Sequence, residues 1–289
     1  MGAKLLQGKP IAEKIKAEIR AEIESCSKKV TGVPALRAIQ FGDDQASALY
    51  LKSQKKAAES VGIRHEVTAL NAKAVEDDLI GEIERANRDP NVHGMIVQMP
   101  LPKSFRVDRI LEAMDPDKDV EAVTTRNLGR LVINKAGLAP CTASACVRLI
   151  EETGVDVYGK EAVVIGSSKV VGLPAFLLLI GKKLTSMICH TGTFKSGALR
   201  SHVRRADVLV VSAGQPRLIP GGWVKEGSIV IDVGINQVDG KTVGDVDFEG
   251  AKQRAAFITP VPGGVGPLTV MMLMKNLMTA FKLQKGIGS

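Results

Sequence analysis

Aromatic residues are scarce. They make up 3% of the 289 residues, with Trp223 the only tryptophan and Tyr50 and Tyr158 the only tyrosines. A platform for single-stranded nucleic acid needs aromatic faces for base stacking, so nucleic-acid binding is not expected. The four cysteines (Cys26, Cys141, Cys146 and Cys189) form no CxxC pair, and the four histidines (His65, His93, His190 and His202) form no ligand cluster. A structural zinc site, or any other metal site, is therefore not expected, and the cysteines are read as reduced thiols in or near the core of a cytoplasmic protein. No apolar run approaches the ~20 residues of a membrane span; the longest patch, Leu173 to Ile180, is far too short. The stretch Met1 to Pro10 is short and polar, so no signal core is expected there.

What remains is ordinary globular material, with 45% apolar and 24% charged residues, long enough for about two domains. Net charge is +8, a balance that favours anionic ligands such as phosphates and polycarboxylates. Ile11, Ile15, Ile19 and Ile23 recur every four residues between Lys and Glu, which predicts an amphipathic helix. Beyond it the pattern predicts strands at Ala35–Phe41, Arg64–Leu70 and Gly94–Met99, alternating with helices at about Ala46–Val61 and Glu76–Asn87. The second half repeats the alternation. Strands are expected at Glu161–Ile165, Thr185–Cys189, Val208–Ser212, Ser228–Val233 and Ala256–Thr259, and helices at Val170–Ile180, Ser196–Arg204 and Leu268–Phe281. Strands separated by helices imply parallel βαβ units, and hence an α/β protein of two αβ domains.

Three segments carry candidate chemistry. In Val163–Pro174 a buried strand runs through Gly166, Ser167 and Ser168 into a helix. Backbone N–H groups and a helix N-terminus there would face a pyrophosphate, although the two glycines stand six apart and do not form a GxGxxG. Pro260–Thr269 packs three glycines and three prolines before a helix, more stiffness and close approach than a plain turn requires. On the helix near residue 50, Tyr50 and Gln54 share one face. Gln98 stands near the carboxyl end of a strand, where open α/β sheets bind ligands, and a loop amide with no such role is the plainer alternative.

Together these segments resemble the methylenetetrahydrofolate dehydrogenase/cyclohydrolase family over nearly the whole chain. The matching motifs are Gly42–Tyr50 (GDD-ASALY), VQMPLP at Val97–Pro102, DPDKDV at Asp115–Val120, PCT at Pro140–Thr142, GSSKVVGLP at Gly166–Pro174 and TPVPGGVGPLT at Thr259–Thr269. The resemblance implies a folate-binding domain of residues 1–135 plus 270–289, a Rossmann-type NAD(P) domain of residues 136–269, a folate cleft between them, and a homodimer. The implied chemistry moves a hydride from 5,10-methylenetetrahydrofolate to nicotinamide C4, then adds water to the methenyl product to give 10-formyltetrahydrofolate. Tyr50, Gln54, Gln98 and Glu121 fall at the implied catalytic positions. Pro100, Pro262, Gly263 and Gly264 join Tyr50, Gln98 and Glu121 at the folate. Cofactor contacts are implied at Thr142, Gly166, Ser167, Ser168, Val171, Gly172, Pro174, His190, Thr191, Ala213, Gly214, Gly234, Ile235 and Thr269.

The chain departs from the family at sensitive places. Gln54 stands where the family carries the lysine to which cyclohydrolase chemistry is assigned; an amide can donate a hydrogen bond but cannot relay a proton. Lys55 and Lys56 are turned about 100° and 200° away around the helix. Glu121–Ala122 replaces the family's Asp-Gly, moving a carboxylate by about 1 Å. Cyclohydrolase activity is therefore expected to be weak or absent, with the full bifunctional activity and a non-catalytic folate-binding paralogue as alternatives. Ser167 and Thr191 stand where many members have an arginine, and no acidic residue closes the second strand of this domain to hold a ribose 2′-OH. Lys169, Lys195 or Arg200 could meet a 2′-phosphate, so NADP is expected ahead of NAD.

Overall fold

The computed structural model describes residues 2–42 and 45–287; Asp43 and Asp44, read above as part of a matching motif, lie outside the described residues. In chain order the first elements are β1 (Lys4–Leu5), α1 (Gly8–Ser27), β2 (Ala35–Phe41), α2 (Gln45–Val61), β3 (Arg64–Leu70), α3 (Glu76–Arg88), β4 (Gly94–Val97), α4 (Val107–Glu112), α5 (Thr125–Val132) and α6 (Cys141–Glu151). There follow β5 (Glu161–Ile165), α7 (Gly172–Gly181), β6 (Thr185–Cys189), α8 (Thr191–Lys195), α9 (Leu199–Val203), β7 (Val208–Val211), β8 (Ile229–Asp232), β9 (Asn236–Val238), β10 (Lys241–Val243), α10 (Phe248–Lys252), β11 (Phe257–Ile258) and α11 (Val265–Gln284). No helix among the described residues is long and apolar enough to cross a membrane.

The chain forms two compact units: residues 1–12 with 142–269, called unit one, and residues 13–141 with 270–289, called unit two. The division differs from the expected boundaries at two points. Residues 1–12 group with unit one because β1 pairs parallel to β11, Lys4 opposite Phe257 and Leu5 opposite Ile258. The second crossing falls at residue 141 and not 135, since Cys141 is tied to Val120 in unit two.

Unit one is built on a six-stranded, all-parallel sheet in the order β1-β11-β8-β7-β5-β6. Its inner strands read as unbroken apolar runs because helices cover both faces, and Val208–Val211 and Ile229–Asp232 are buried at every position. Unit two holds a three-stranded parallel sheet, β3-β2-β4. A core of Ile39, Leu79, Ile83, Val92, Met95 and Ile110 joins β2 and β4 to α3 and α4. An isolated parallel bridge between Met95 and Asp119 lays the 118–120 segment beside β4.

Several expected elements come out differently; the last helix, for one, runs Val265–Gln284 and not Leu268–Phe281. The third strand ends at Val97, two residues early, where the chain turns into a cis Met99–Pro100 bond. The helix after Gly166 starts at Gly172 and not at Val170. Of the helix expected at Ser196–Arg204 only α9 (Leu199–Val203) forms; the short α8 lies just before that span, and the chain between them turns at Gly197, whose φ of +75° ends a helix cheaply only in glycine.

Candidate functional site

In unit two the sequence-predicted side chains converge. α2 buries Gln54 completely, and Gln98, just past the end of β4, is 5% exposed. Gln98 Nε2 donates to Gln54 Oε1 at 3.1 Å, while Gln54 Nε2 has no hydrogen-bond partner among the described residues. Gln98 thus lies in the loop just past β4 with its amide satisfied by Gln54. Its main-chain N–H extends the sheet by donating to the Ile39 carbonyl. One turn before Gln54, Tyr50 is half-buried. Burial first, then the Glu121 and Cys141 side chains, push its hydroxyl well above the usual phenol range, and the neighbouring Gln54 amide draws it back slightly. Ser47, on the same helix, donates to the Met99 carbonyl at 2.8 Å, fixing α2 against the loop that carries the exposed Pro100. Lys55 and Lys56 face solvent, and Lys55 lies 3.9 Å from Glu59.

Glu121 reaches this cluster from the bridge segment beside β4. Burial pushes its carboxyl up to about 7, and the Asp119 carboxylate adds to the rise. Asp119 is fully buried: its Oδ2 accepts from the Thr124 N–H at 2.8 Å and from Asn127 Nδ2 at 3.0 Å, and its Oδ1 has no partner among the described residues. Lys118, 6% exposed, donates to the carbonyls of Ala86, Asn87 and Asp89 and so closes the C-terminal end of α3. Ala122, buried, holds φ +56°, the left-handed conformation that suits glycine. His93 lies at the other end of β4, edge-on to Phe281.

Unit one contains a cavity of about 230 Å³ at the carboxyl ends of β5, β6 and β7. It brings together Gly166, Ser167, Ser168, His190, Thr191 and Ala213 of the expected cofactor set, and its lining includes no carboxylate. The glycine spacing now has a physical reason. A Cβ at Gly172 would stand 1.9 Å from the Gly166 carbonyl oxygen, and one at Gly166 would stand 2.3 Å from the Ser212 oxygen. Two glycines six apart thus let the start of α7 close on the β5 turn. Not every N–H group of this turn is free for a ligand, because Ser168 Oγ accepts from those of Val171 and Gly172 at 3.2 and 3.3 Å.

The other expected cofactor residues lie off this cavity. Val171 and the buried Pro174 belong to the start of α7. Gly214 adjoins the cavity and donates its N–H to Asp245 Oδ2. The Gly234 N–H is held by Asp232 Oδ1, and Ile235 is 71% exposed. Thr142 lies in the first turn of α6, and Thr269 Oγ1 donates back to the Val265 carbonyl within α11. In the loop between β11 and α11, Pro262 follows a second cis bond, Gly263 has φ +106°, and Gly264 is buried so tightly against Gly8 that a Cβ on Gly8 would lie 1.9 Å from its oxygen. Sequence reasoning missed Asp119, Cys141 and Asn276 in unit two and the paired carboxylates Asp232 and Asp245 in unit one. The signals available were the matching motifs that contain Asp119 and Cys141, and a polar Asn276 inside a Met-rich helix. Among the described residues no three His, Cys, Asp or Glu side chains could share a metal ion, and the four cysteines are free and buried.

Known proteins resemble this chain along nearly its whole length. Residues 6–121 match the model of the tetrahydrofolate dehydrogenase/cyclohydrolase catalytic domain, and residues 140–285 that of the same family's NAD(P)-binding domain. The chain is 44% identical over 278 residues to the bifunctional protein FolD of Caldanaerobacter subterraneus subsp. tengcongensis, covering 96% of each chain. The crystal structure of the FolD methylenetetrahydrofolate dehydrogenase/cyclohydrolase of Campylobacter jejuni superposes with a TM-score of 0.92 at 40% identity, over 97% of this chain and 99% of that one. That of Trypanosoma brucei, complexed with NADP and an inhibitor, superposes with a TM-score of 0.92 at 36% identity over 100% of both. With both domain types matched along nearly the whole length, the chain belongs to the tetrahydrofolate dehydrogenase/cyclohydrolase family.

Proposed function

We propose that the chain oxidises 5,10-methylenetetrahydrofolate to 5,10-methenyltetrahydrofolate in an NADP-dependent reaction, and that it hydrolyses the methenyl product poorly. The observation that carries the reading is the buried amide pair Gln54–Gln98 beside Tyr50 and Glu121, with no amine among these four groups. Loss of hydride from the methylene carbon leaves a cation and moves no proton. An ammonium beside that carbon opposes the developing charge, a neutral amide does not, and an ionised Glu121 favours it. Tyr50, held as a neutral phenol, offers a donor and a flat face to the folate. Gln54 Nε2 retains an unused donor for a substrate acceptor atom. Hydrolysis makes other demands: water must attack the cation and lose its proton, and a ring nitrogen must leave as an amine. A group that titrates near neutrality typically contributes ~10²–10⁴-fold to such a step, and Gln54 cannot be that group.

For the cofactor, the close approach of Gly166 and Gly172 and a cavity lined by serines, threonine and histidine without a carboxylate suit a dinucleotide phosphate. Bound NADP supplies the hydride acceptor. Ser167, Ser168 and Thr191 would orient it, and the absence of an acidic partner for a ribose 2′-OH supports NADP over NAD. The proposal carries with it a homodimer in the cytoplasm, which sedimentation and fractionation would test. A second reading, the full bifunctional activity, is favoured by two observations: the similar relatives are bifunctional dehydrogenase/cyclohydrolases, and the Glu121 carboxyl at about 7 is itself a titrating group in the cluster. Assay of both half-reactions with each cofactor decides. Dehydrogenase turnover with near-spontaneous methenyl hydrolysis supports the first reading, and efficient hydrolysis supports the second.

A further inference from the structure

Asn276 is a polar residue in the middle of α11, between the fully buried Leu273, Met274, Leu277 and Met278. A leucine would serve the packing there as well. The amide instead spends its Nδ2 group on two main-chain acceptors from distant parts of the chain, the Val120 carbonyl at 2.8 Å and the Ala139 carbonyl at 2.8 Å. Its third neighbour is Cys141 Sγ at 3.6 Å, and that thiol itself reaches the Val120 carbonyl at 3.5 Å. Val120 is the residue before Glu121, and Ala139 precedes the Pro140–Thr142 motif.

Most other fastenings of this strip lie upstream. The Lys118 carbonyl accepts from Met95 N–H at 2.7 Å, the Lys118 ammonium is tied to the end of α3, and Asp119 is tied to Thr124 and Asn127. At the peptide that leads directly into Glu121, the Ala122 N–H closes the turn on the Asp119 carbonyl at 3.1 Å, the Cys141 thiol reaches the Val120 carbonyl at 3.5 Å, and the Asn276 amide makes the shortest contact to that carbonyl, 2.8 Å. That peptide begins with the Val120 carbonyl, and the next residue but one, Ala122, sits in the left-handed conformation. A rotation of the 120–121 peptide would swing the Glu121 carboxylate and turn the Val120 carbonyl off its acceptor position. The Asn276 amide opposes that rotation and, through Ala139, anchors the same point to a second segment.

We propose that Asn276 is a positioning residue. Its amide fixes the Val120 peptide and thereby aims the Glu121 carboxylate at the folate. The inference rests on the reading above that Glu121 faces the folate. A misplacement of about 1 Å at a reacting site costs on the order of 10²-fold in rate. Asn276→Ala should therefore lower kcat/KM for methylenetetrahydrofolate 10- to 100-fold while leaving KM for the nicotinamide cofactor within about twofold.

The test is a double-mutant cycle on the full chain with Asn276→Ala, Glu121→Gln and both together. If Asn276 acts through Glu121, its penalty shrinks to less than about threefold once Glu121 has already been replaced. An equal penalty in both backgrounds assigns Asn276 to the scaffold alone and overturns the proposal. Failure of the underlying reading looks different: Glu121→Gln by itself would then leave folate turnover unchanged, and the proposal would fall with it. Where Asn276→Ala gives no soluble protein, Asn276→Ser, whose hydroxyl can still donate to one of the two carbonyls, runs through the same cycle. If neither variant folds, the amide holds the fold and not the carboxylate, and the proposal is overturned.

Discussion

Replacing Gln54 by lysine restores the amine that the family carries and the cluster lacks. The side chain is fully buried, so the new ammonium would enter a place shielded from bulk solvent and would displace the 3.1 Å hydrogen bond from Gln98. Gln98 can turn its amide and accept from the lysine, which limits the loss to one rearranged bond; otherwise a buried donor is left unsatisfied at roughly 1–3 kcal/mol. The raised Glu121 carboxyl is the available counter-charge, and beside an ammonium it should ionise at lower pH. For the chemistry the gain should be about 10²–10⁴-fold in methenyl hydrolysis, equivalent to about 3–5 kcal/mol of barrier. The dehydrogenase step should slow by about tenfold, because the ammonium opposes the cation formed on hydride loss; at ~4 Å and surface-like screening that repulsion is at most ~4 kcal/mol before Glu121 offsets it. The assay follows disappearance of the methenyl compound against its spontaneous rate, beside reduction of the cofactor. A parent protein that already hydrolyses the methenyl compound efficiently refutes the argument. So does a folded Gln54→Lys protein that gains nothing.

Four further outcomes are expected. Ser167→Arg should raise preference for NADP over NAD by supplying a fork for the 2′-phosphate, and unchanged relative affinities would remove residue 167 from the site. Gly172→Ala should abolish cofactor binding, since its methyl would lie 1.9 Å from the Gly166 oxygen; calorimetry showing unaltered affinity would contradict the cradle. Ala122→Val should destabilise by roughly 2–3 kcal/mol while Ala122→Gly stays within about 1 kcal/mol of the parent, because φ +56° penalises a branched side chain most; equal denaturation midpoints for the two variants would rule this out. Burial holds the Glu121 and Asp232 carboxyls at about 7 and about 6, so each binds its proton more tightly in the folded chain than in the unfolded one. Their contribution to stability is full below the unfolded carboxylate range and is lost as pH rises to about 7. Glu121→Gln should then raise Tm relative to the parent more at pH 8 than at pH 5, whereas an equal difference at both would show the carboxyl is not held this way.

Legibility followed the range of the interactions. β2, β3, β5 and β6 match their expected residues one for one, because a strand between turns announces itself locally as a short run with apolar and branched residues, in the buried β2 and β5 and in the more exposed β3 and β6 alike. α4, α5 and α6 escaped notice, being short or opening without a strong local signal, and so did the β9–β10 hairpin. In the candidate site, Tyr50 and Gln54 were legible as neighbours from helical spacing, and Gln98 from its place at a strand end. Their hydrogen bond, between residues 44 apart in sequence, was not. The Asn276 amide lies 156 residues from the carbonyl it holds, and nothing in the helix around it points to that partner. The left-handed backbone of Ala122 had one sequence marker, the family's glycine at that position, since alanine itself does not signal such a conformation.

The pairing of β1 with β11 has a consequence for the order in which the protein can be made. Lys4 and Leu5 leave the ribosome about 250 residues ahead of their partners Phe257 and Ile258, an interval of roughly 10–50 s at ordinary elongation rates. Through that interval the strand has no sheet edge to join. The helix that follows it is equally delayed, because Gly8 seats against Gly264. Unit two waits in the same way for α11 to bring Asn276 to a carbonyl synthesised long before it. Nascent chains stalled before residue 257 should therefore expose both segments to protease, and release of the full chain should protect them together.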